Sequence, residues 1–136
     1  MSRIHTIALV ALCEAETAFD GRTFVSIVPA ETEAPYLVWH PANGNNSQER
    51  VTGPRVTKHP RFTGHIVGVT ADQTQLLTDL LEAALFPGGR GVIPTVAGEV
   101  CKPLWFESPV PIQVSTDPLP QIVYQVVEVG WRSDPT

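Results

Sequence analysis

Residues 61–89, RFTGHIVGVTADQTQLLTDLLEAALFPGG, decide the fold class. Phe62 to Val69 alternates as a strand does. Phe62 and Ile66 share one face, and Thr63, His65, Val67 and Val69 share the other. Gly64 and Gly68 carry no side chain, so either a large neighbour packs against them or the strand bulges. Thr70 then opens a helix. Its hydroxyl is placed to accept from the Gln73 N–H while Gln73 reaches back, a capping box. Asp72 sits at the positive end of the helix dipole. Leu76, Leu77, Leu80, Leu81, Ala84 and Leu85 form a wide apolar stripe. Burying the five leucines is worth roughly 7–15 kcal/mol before entropy is subtracted, at about 1.5–3 kcal/mol each. Pro87, Gly88 and Gly89 stop the helix.

Working outward, Ser2 is placed to cap a first helix running to about Glu16. Its stripe is Ile4, Ile7, Ala8, Ala11, Leu12 and Ala15; Leu9, Val10 and Cys13 lie off it. A second apolar edge of this kind is either deeply buried or used at a subunit contact. Asp20-Gly21 is a turn signal. Thr23 to Val28 reads as a short strand, 29–35 as an acidic loop with Glu31 and Glu33, and Tyr36 to His40 as a strand between prolines.

Residues 42–60 read as a long polar loop rich in turn formers, with Val51 and Val56 placed for a small hairpin arm across Gly53-Pro54. Extended to Arg61, the segment sets Arg50, Arg55, Lys58 and Arg61 against Glu49 alone. It is therefore +3 and the rest of the chain −8 within the net charge of −5. Val92 to Val96 and Val100 to Phe106 are candidate strands, the second interrupted by Pro103. Residues 107–120 hold four prolines and are expected to run extended over the surface. Gln121 to Trp131 is a strong strand, apolar on both faces and so central or covered by helices. The tail after Trp131 is expected to be loose.

The order of elements predicts an α+β fold: a mostly antiparallel sheet of four to six strands, two main helices packed on it, and the long polar loop between strands 2 and 3. With 136 residues, 43% of them hydrophobic, the chain suits a single domain over 1–131 with a flexible tail at 132–136. The acidic balance argues against a surface devoted to nucleic acid. Cys13 and Cys101 lack a C-x-x-C partner and read as buried free thiols, with a disulfide between them left open. The stretch from Arg3 to Cys13 superficially resembles a lipoprotein signal, but it is interrupted by His5 and Thr6, and Leu12 stands where cleavage prefers a small residue. A protein soluble in the cytoplasm where it is made is expected, with no membrane partner.

Signals for chemistry are thin. His5, His40, His59 and His65 are scattered, with no Ser-His-Asp spacing, H-E-x-x-H or nucleophile elbow. The GGRG run at 88–91 follows a helix and lacks the Lys-Ser/Thr of a phosphate loop. Neither an enzyme nor a bound cofactor or metal is expected. Trp39, Trp105 and Trp131 read as core or interface anchors.

The same residues resemble a known family. The amphipathic helix at Ile4 to Ala15, the P-x-L-V-W strand at Pro35 to Trp39, the long polar loop, the helix Ala71 to Leu85 with its glycine stop and the terminal strand Tyr124 to Val129 together look like the tail terminator (tail completion) proteins of long-tailed bacteriophages. The proline-rich stretch 107–120 looks like an insertion relative to compact members. The resemblance implies a non-enzymatic, homohexameric ring in the virion, on the head-proximal end of the tail tube. Its partners would be further copies of itself, the major tail protein and the head–tail connector or stopper. DNA would pass through without specific binding. Leu9, Val10, Asn45, Arg50, Arg55, Lys58 and Arg61 are the candidate interface residues for subunit or tube. Two other readings stand beside this one: another head–tail joining protein (stopper or adaptor), and a small α+β ligand-binding or regulatory module.

If the basic segment docks electrostatically, replacing Arg50, Arg55, Lys58 and Arg61 by Ala leaves the fold intact and weakens assembly in a salt-sensitive manner. Assembly that is indifferent to salt, measured by sedimentation, would refute this.

Overall fold

The computed structural model describes residues 3–47, 57–115 and 122–135. The 61–89 stretch folds as read. Strand β3 (Thr57–Gly68) leads into helix α2 (Ala71–Leu85), and the Thr70 hydroxyl accepts from the Gln73 N–H at 3.1 Å. Gln73 Oε1 in turn accepts from the backbone N–H of Val69 at 2.8 Å, one residue earlier than a standard capping box. Thr74, Leu77, Leu81 and Leu85 are buried on one side of α2. Leu76, on the edge of the stripe, is exposed.

Both expectations for the strand glycines resolve as close packing. Trp39 lies opposite Gly64 in register, and a Cβ on Gly64 would sit 2.6 Å from its ring. A Cβ on Gly68 would sit 2.5 Å from Thr74 Oγ1, where α2 crosses the strand.

The remaining elements are helix α1 (Arg3–Glu14) and strands β1 (Thr23–Val25), β2 (Tyr36–Ser47), β4 (Glu99–Cys101), β5 (Trp105–Glu107), β6 (Gln113–Ser115), β7 (Ile122–Gly130) and β8 (Ser133–Pro135). These seven strands and β3 form, among the described residues, an eight-stranded sheet, wider than the four to six strands expected, whose main path runs β1-β2-β3-β7-β5. β1 pairs with β2 in parallel, and the other described pairings are antiparallel. β7 is internal as expected, with β3 on one side and both β5 and β6 on the other. The core gathers Leu9 and Cys13 of α1, Leu77, Leu81 and Leu85 of α2, and Leu37, Trp39, Phe62, Ile66, Val127 and Val129 of the sheet.

Four expectations are corrected. First, α1 is rotated: His5, Leu9 and Cys13, at i, i+4 and i+8, are its buried line, while Ile4 and Ile7 are exposed. Second, the long loop is shorter than read. Ala42–Ser47 and Thr57–Pro60 extend β2 and β3 as a paired arm, with a register shift between Ala42 and Asn45; the expected hairpin residues Val51 and Val56 lie outside the described residues. Third, the segment 92–96 is not a strand. It is held by Val92 N–H to Leu85 O and Leu104 N–H to Val92 O. Fourth, part of the tail expected to be loose is a strand, Ser133–Pro135. β8 pairs with β4 and with Lys58 of β3, and Thr57 Oγ1 donates to Asp134 Oδ1 at 2.6 Å. The Pro103 break is real, separating β4 from β5.

Gly64→Ala is expected to cost about 1–3 kcal/mol, because the Trp39 ring has no room to retreat within the core. A lowered urea midpoint with an unchanged slope would show it. An unaltered midpoint would mean that Trp39 tolerates the added methyl.

Candidate functional site

One buried polar cluster stands out. The Glu99 carboxylate has only 6% of its side chain exposed, and its Oε1 is approached by three donors. His5 Nε2 lies 3.1 Å away, Ser133 Oγ donates at 2.8 Å and Lys58 Nζ stands at 3.8 Å. Cys101 Sγ is 3.6 Å from Ser133 Oγ. A nucleophile, a base and an acid are thus close together, but not in a working order. The serine and the histidine both address the same carboxylate oxygen, so the histidine does not sit between acid and nucleophile. The cluster joins α1, β3, β4 and β8 and is a structural tie. Among the described residues no group of three or more His, Cys, Asp or Glu is arranged to hold a metal ion.

Burial lowers the His5 pKa, with Glu99 pulling the other way. Burial also lowers that of His65, which packs edge-on against His40 and Tyr124 on the sheet face away from the helices; the nearby His40 adds to the effect. Cys13 is buried and its thiol is pushed up to about 12, so it is not a nucleophile at neutral pH. Both cysteines are free, which closes the disulfide question.

The surface offers two concavities of note. One, of about 420 Å³, lies where the start of β3, the end of β7 and the β4–β5 connection meet. Arg61, Lys102, Arg132, Trp105 and Pro103 line it. The Arg61 guanidinium stands 5.6 Å from the centre of the Trp105 ring and 3.6 Å from Glu128, while Arg132 pairs with Asp134 at 3.2 Å. The other, of about 320 Å³, is an apolar groove between α1 and β1 lined by Ile7, Val10, Ala11 and Val25. Ile7 is 51% exposed and nearby Ile27 79%.

The candidate interface residues divide accordingly. Leu9 is fully buried in the chain's own core and presents no surface, a correction that follows from the rotation of α1. Val10 lines the apolar groove. Asn45 sits on the β2–β3 arm opposite His59. Lys58 and Arg61 are three residues apart on β3, so they face opposite sides of the sheet. Lys58 turns to Glu99 and Arg61 to Trp105 and Glu128. Truncating Lys58 therefore removes an internal contact as well as a surface charge. Arg50 and Arg55 lie outside the described residues. Sequence reasoning missed Lys102, Arg132 and the exposed Ile7 and Ile27. The concavity lined by Lys102 and Arg132 is assembled from three separate segments, and no local spacing announces it.

A histidine whose pKa is lowered by folding binds its proton more readily when unfolded. Stability is then highest above the unfolded histidine value of about 6.5 and falls as pH drops through it. Urea unfolding at pH 7.5 and pH 5.5 should show lower stability at the acid value, with a smaller difference in His65→Asn. A flat profile would mean that His5 and His65 are not held neutral.

No protein-family model matches the chain, and neither does any curated protein. Among solved structures, a chain from the virion of a native gene transfer agent (GTA) particle matches with a TM-score of 0.56 at 11% sequence identity. The match covers 93% of this chain and 84% of that one. At that identity the likeness is one of fold, and it spans both helices and the sheet: this chain has the α+β architecture of a chain found in that virion.

Proposed function

We propose that the chain is a structural protein of a phage-like virion, and more narrowly the ring that caps the head-proximal end of the tail tube. The observation that carries the first part is the fold shared with a chain of the gene transfer agent virion over nearly the whole length. The narrower part rests on the resemblance of the helix, strand and loop order to tail terminator proteins. In this reading the protein is not an enzyme. It works by shape, ending addition of the major tail protein on one axial face and offering the other to the head connector.

The exposed groove at Ile7, Val10 and Val25 and the basic concavity at Arg61 and Lys102 support an assembled protein, since a ring needs at least two different contact surfaces on each copy. Two helices on one side of a sheet fit a terminator better than a stopper, which tends to be a small β-barrel. The outward acidic balance suits a ring through which DNA slides without being gripped.

Purified protein mixed with tail tubes and imaged by negative stain is expected to appear as rings on one tube end, and tube lengthening should cease. A protein that stays monomeric with and without tubes would overturn the ring. Binding to the head connector but not to tubes would move it to the stopper or adaptor role.

A further inference from the structure

The two ends of the sheet path carry complementary features. At the β1 end, residues 14–33 hold Glu14, Glu16, Asp20, Glu31 and Glu33 against Arg22, a net charge of −4. Glu31 and Glu33 are exposed on the β1–β2 connection. That connection is set by its own contacts. Thr32 N–H and hydroxyl both return to Pro29 O, and Arg22 Nη1 donates to Glu33 O at 3.0 Å. At the β5 end lies the basic concavity, with Trp105 37% exposed, Lys102 exposed at its rim and the Arg61 guanidinium half-exposed over the tryptophan ring.

β1 and β5 are the outermost strands of the path, four strand spacings apart. The loop also lies at the far end of β2 from Arg61: Arg22, whose side chain donates to Glu33 O, accepts at its carbonyl from Leu37 N–H, whereas Arg61 pairs with Ala42. Five residues at about 3.3 Å each is roughly 17 Å along the strand, too far for the acidic loop to reach the Arg61–Lys102 concavity of its own chain. The contact is therefore available only between copies. Because the two surfaces differ, it is heterologous, the kind that closes into rings when the rotation allows.

We propose that the Glu31–Glu33 loop of one copy seats in the Arg61–Lys102–Trp105 concavity of the next, joining copies head to tail. A carboxylate entering there meets Lys102 and the unused donors of Arg61, which has five N–H groups and one neighbouring acid at 3.6 Å. The Trp105 ring, 5.6 Å from the Arg61 guanidinium, holds that cation at the concavity by a cation–π contact. The assignment rests on the ring reading above and gives it a subunit contact.

Charge reversal with rescue tests it in the full chain. Glu31→Lys/Glu33→Lys and Lys102→Glu, all at exposed positions, are expected to keep the wild-type melting temperature. Each alone should lose roughly tenfold or more in self-association by sedimentation, since like charges then face each other. An equimolar mixture should regain assembly, because lysine loops then meet glutamate concavities and native loops meet native ones. Wild-type protein that assembles while both variants assemble equally well would overturn the contact and leave the ring reading standing. Wild-type protein that never associates, with or without tubes, would overturn both. Variants that self-associate normally but fail to bind tubes would assign the concavity to the tube and overturn the contact between copies. Folded variants that stay monomeric when mixed would also overturn it.

Discussion

Glu99 imposes the constraint on which much of this structure depends. A carboxylate removed from water must be given donors, and an unmet one costs several kcal/mol. Here the donors come from three distant places: His5 on α1, Lys58 on β3 and Ser133 on β8. Each recruitment fixes an element that its local sequence leaves undecided. His5 turns α1 so that Leu9 and Cys13 face the core. Ser133 holds the C-terminal residues against β4. Lys58 is drawn inward to Glu99, on the opposite side of the strand from Arg61. Trp131, stacked on Phe62 with ring centres 5.4 Å apart and packed near His5, closes the apolar side of the same tie.

What was legible in the sequence follows from this. The β3–α2 unit, its cap, its leucine face apart from the exposed Leu76, and the choice at Gly64 and Gly68 between close packing and a bulge depend on neighbours a few residues away or on side chains facing them across a strand pair. Those readings stand. The rotation of α1 did not follow from hydropathy, because hydropathy ranks isoleucine above histidine, while the partner that makes His5 a core residue lies 94 residues further on. The C-terminal residues are short and polar, and only their partners on β3 and β4 reveal them as a strand. The basic segment was visible as a charge excess, but strand periodicity splits Lys58 from Arg61. The concavity that Arg61 helps to line takes its other cations from elsewhere in the chain.

The sheet also explains where surfaces for assembly arise. Both helices occupy one face, so the apolar residues they leave uncovered gather at the margins. Ile7 and Val10 flank β1, while Trp105 and Val114 lie on the short strands along β7. On the β7 side the outer strands β5 and β6 are three residues each and expose little unpaired backbone, which discourages indiscriminate sheet extension there. Contacts at such margins are then chosen by side-chain shape and charge.

The meeting of Trp39 with Gly64 has a consequence for how this sequence changes over time. The indole occupies the space that any side chain at position 64 would need, so the two positions are not independent. A larger residue at 64 becomes acceptable only after the aromatic at 39 has shrunk, and a smaller residue at 39 leaves a void until 64 gains volume. Drift at this point must proceed through a less stable intermediate or through paired replacement. Relatives that have lost every other likeness are expected to carry either this combination or its mirror, a small residue on the second strand facing a large one on the third.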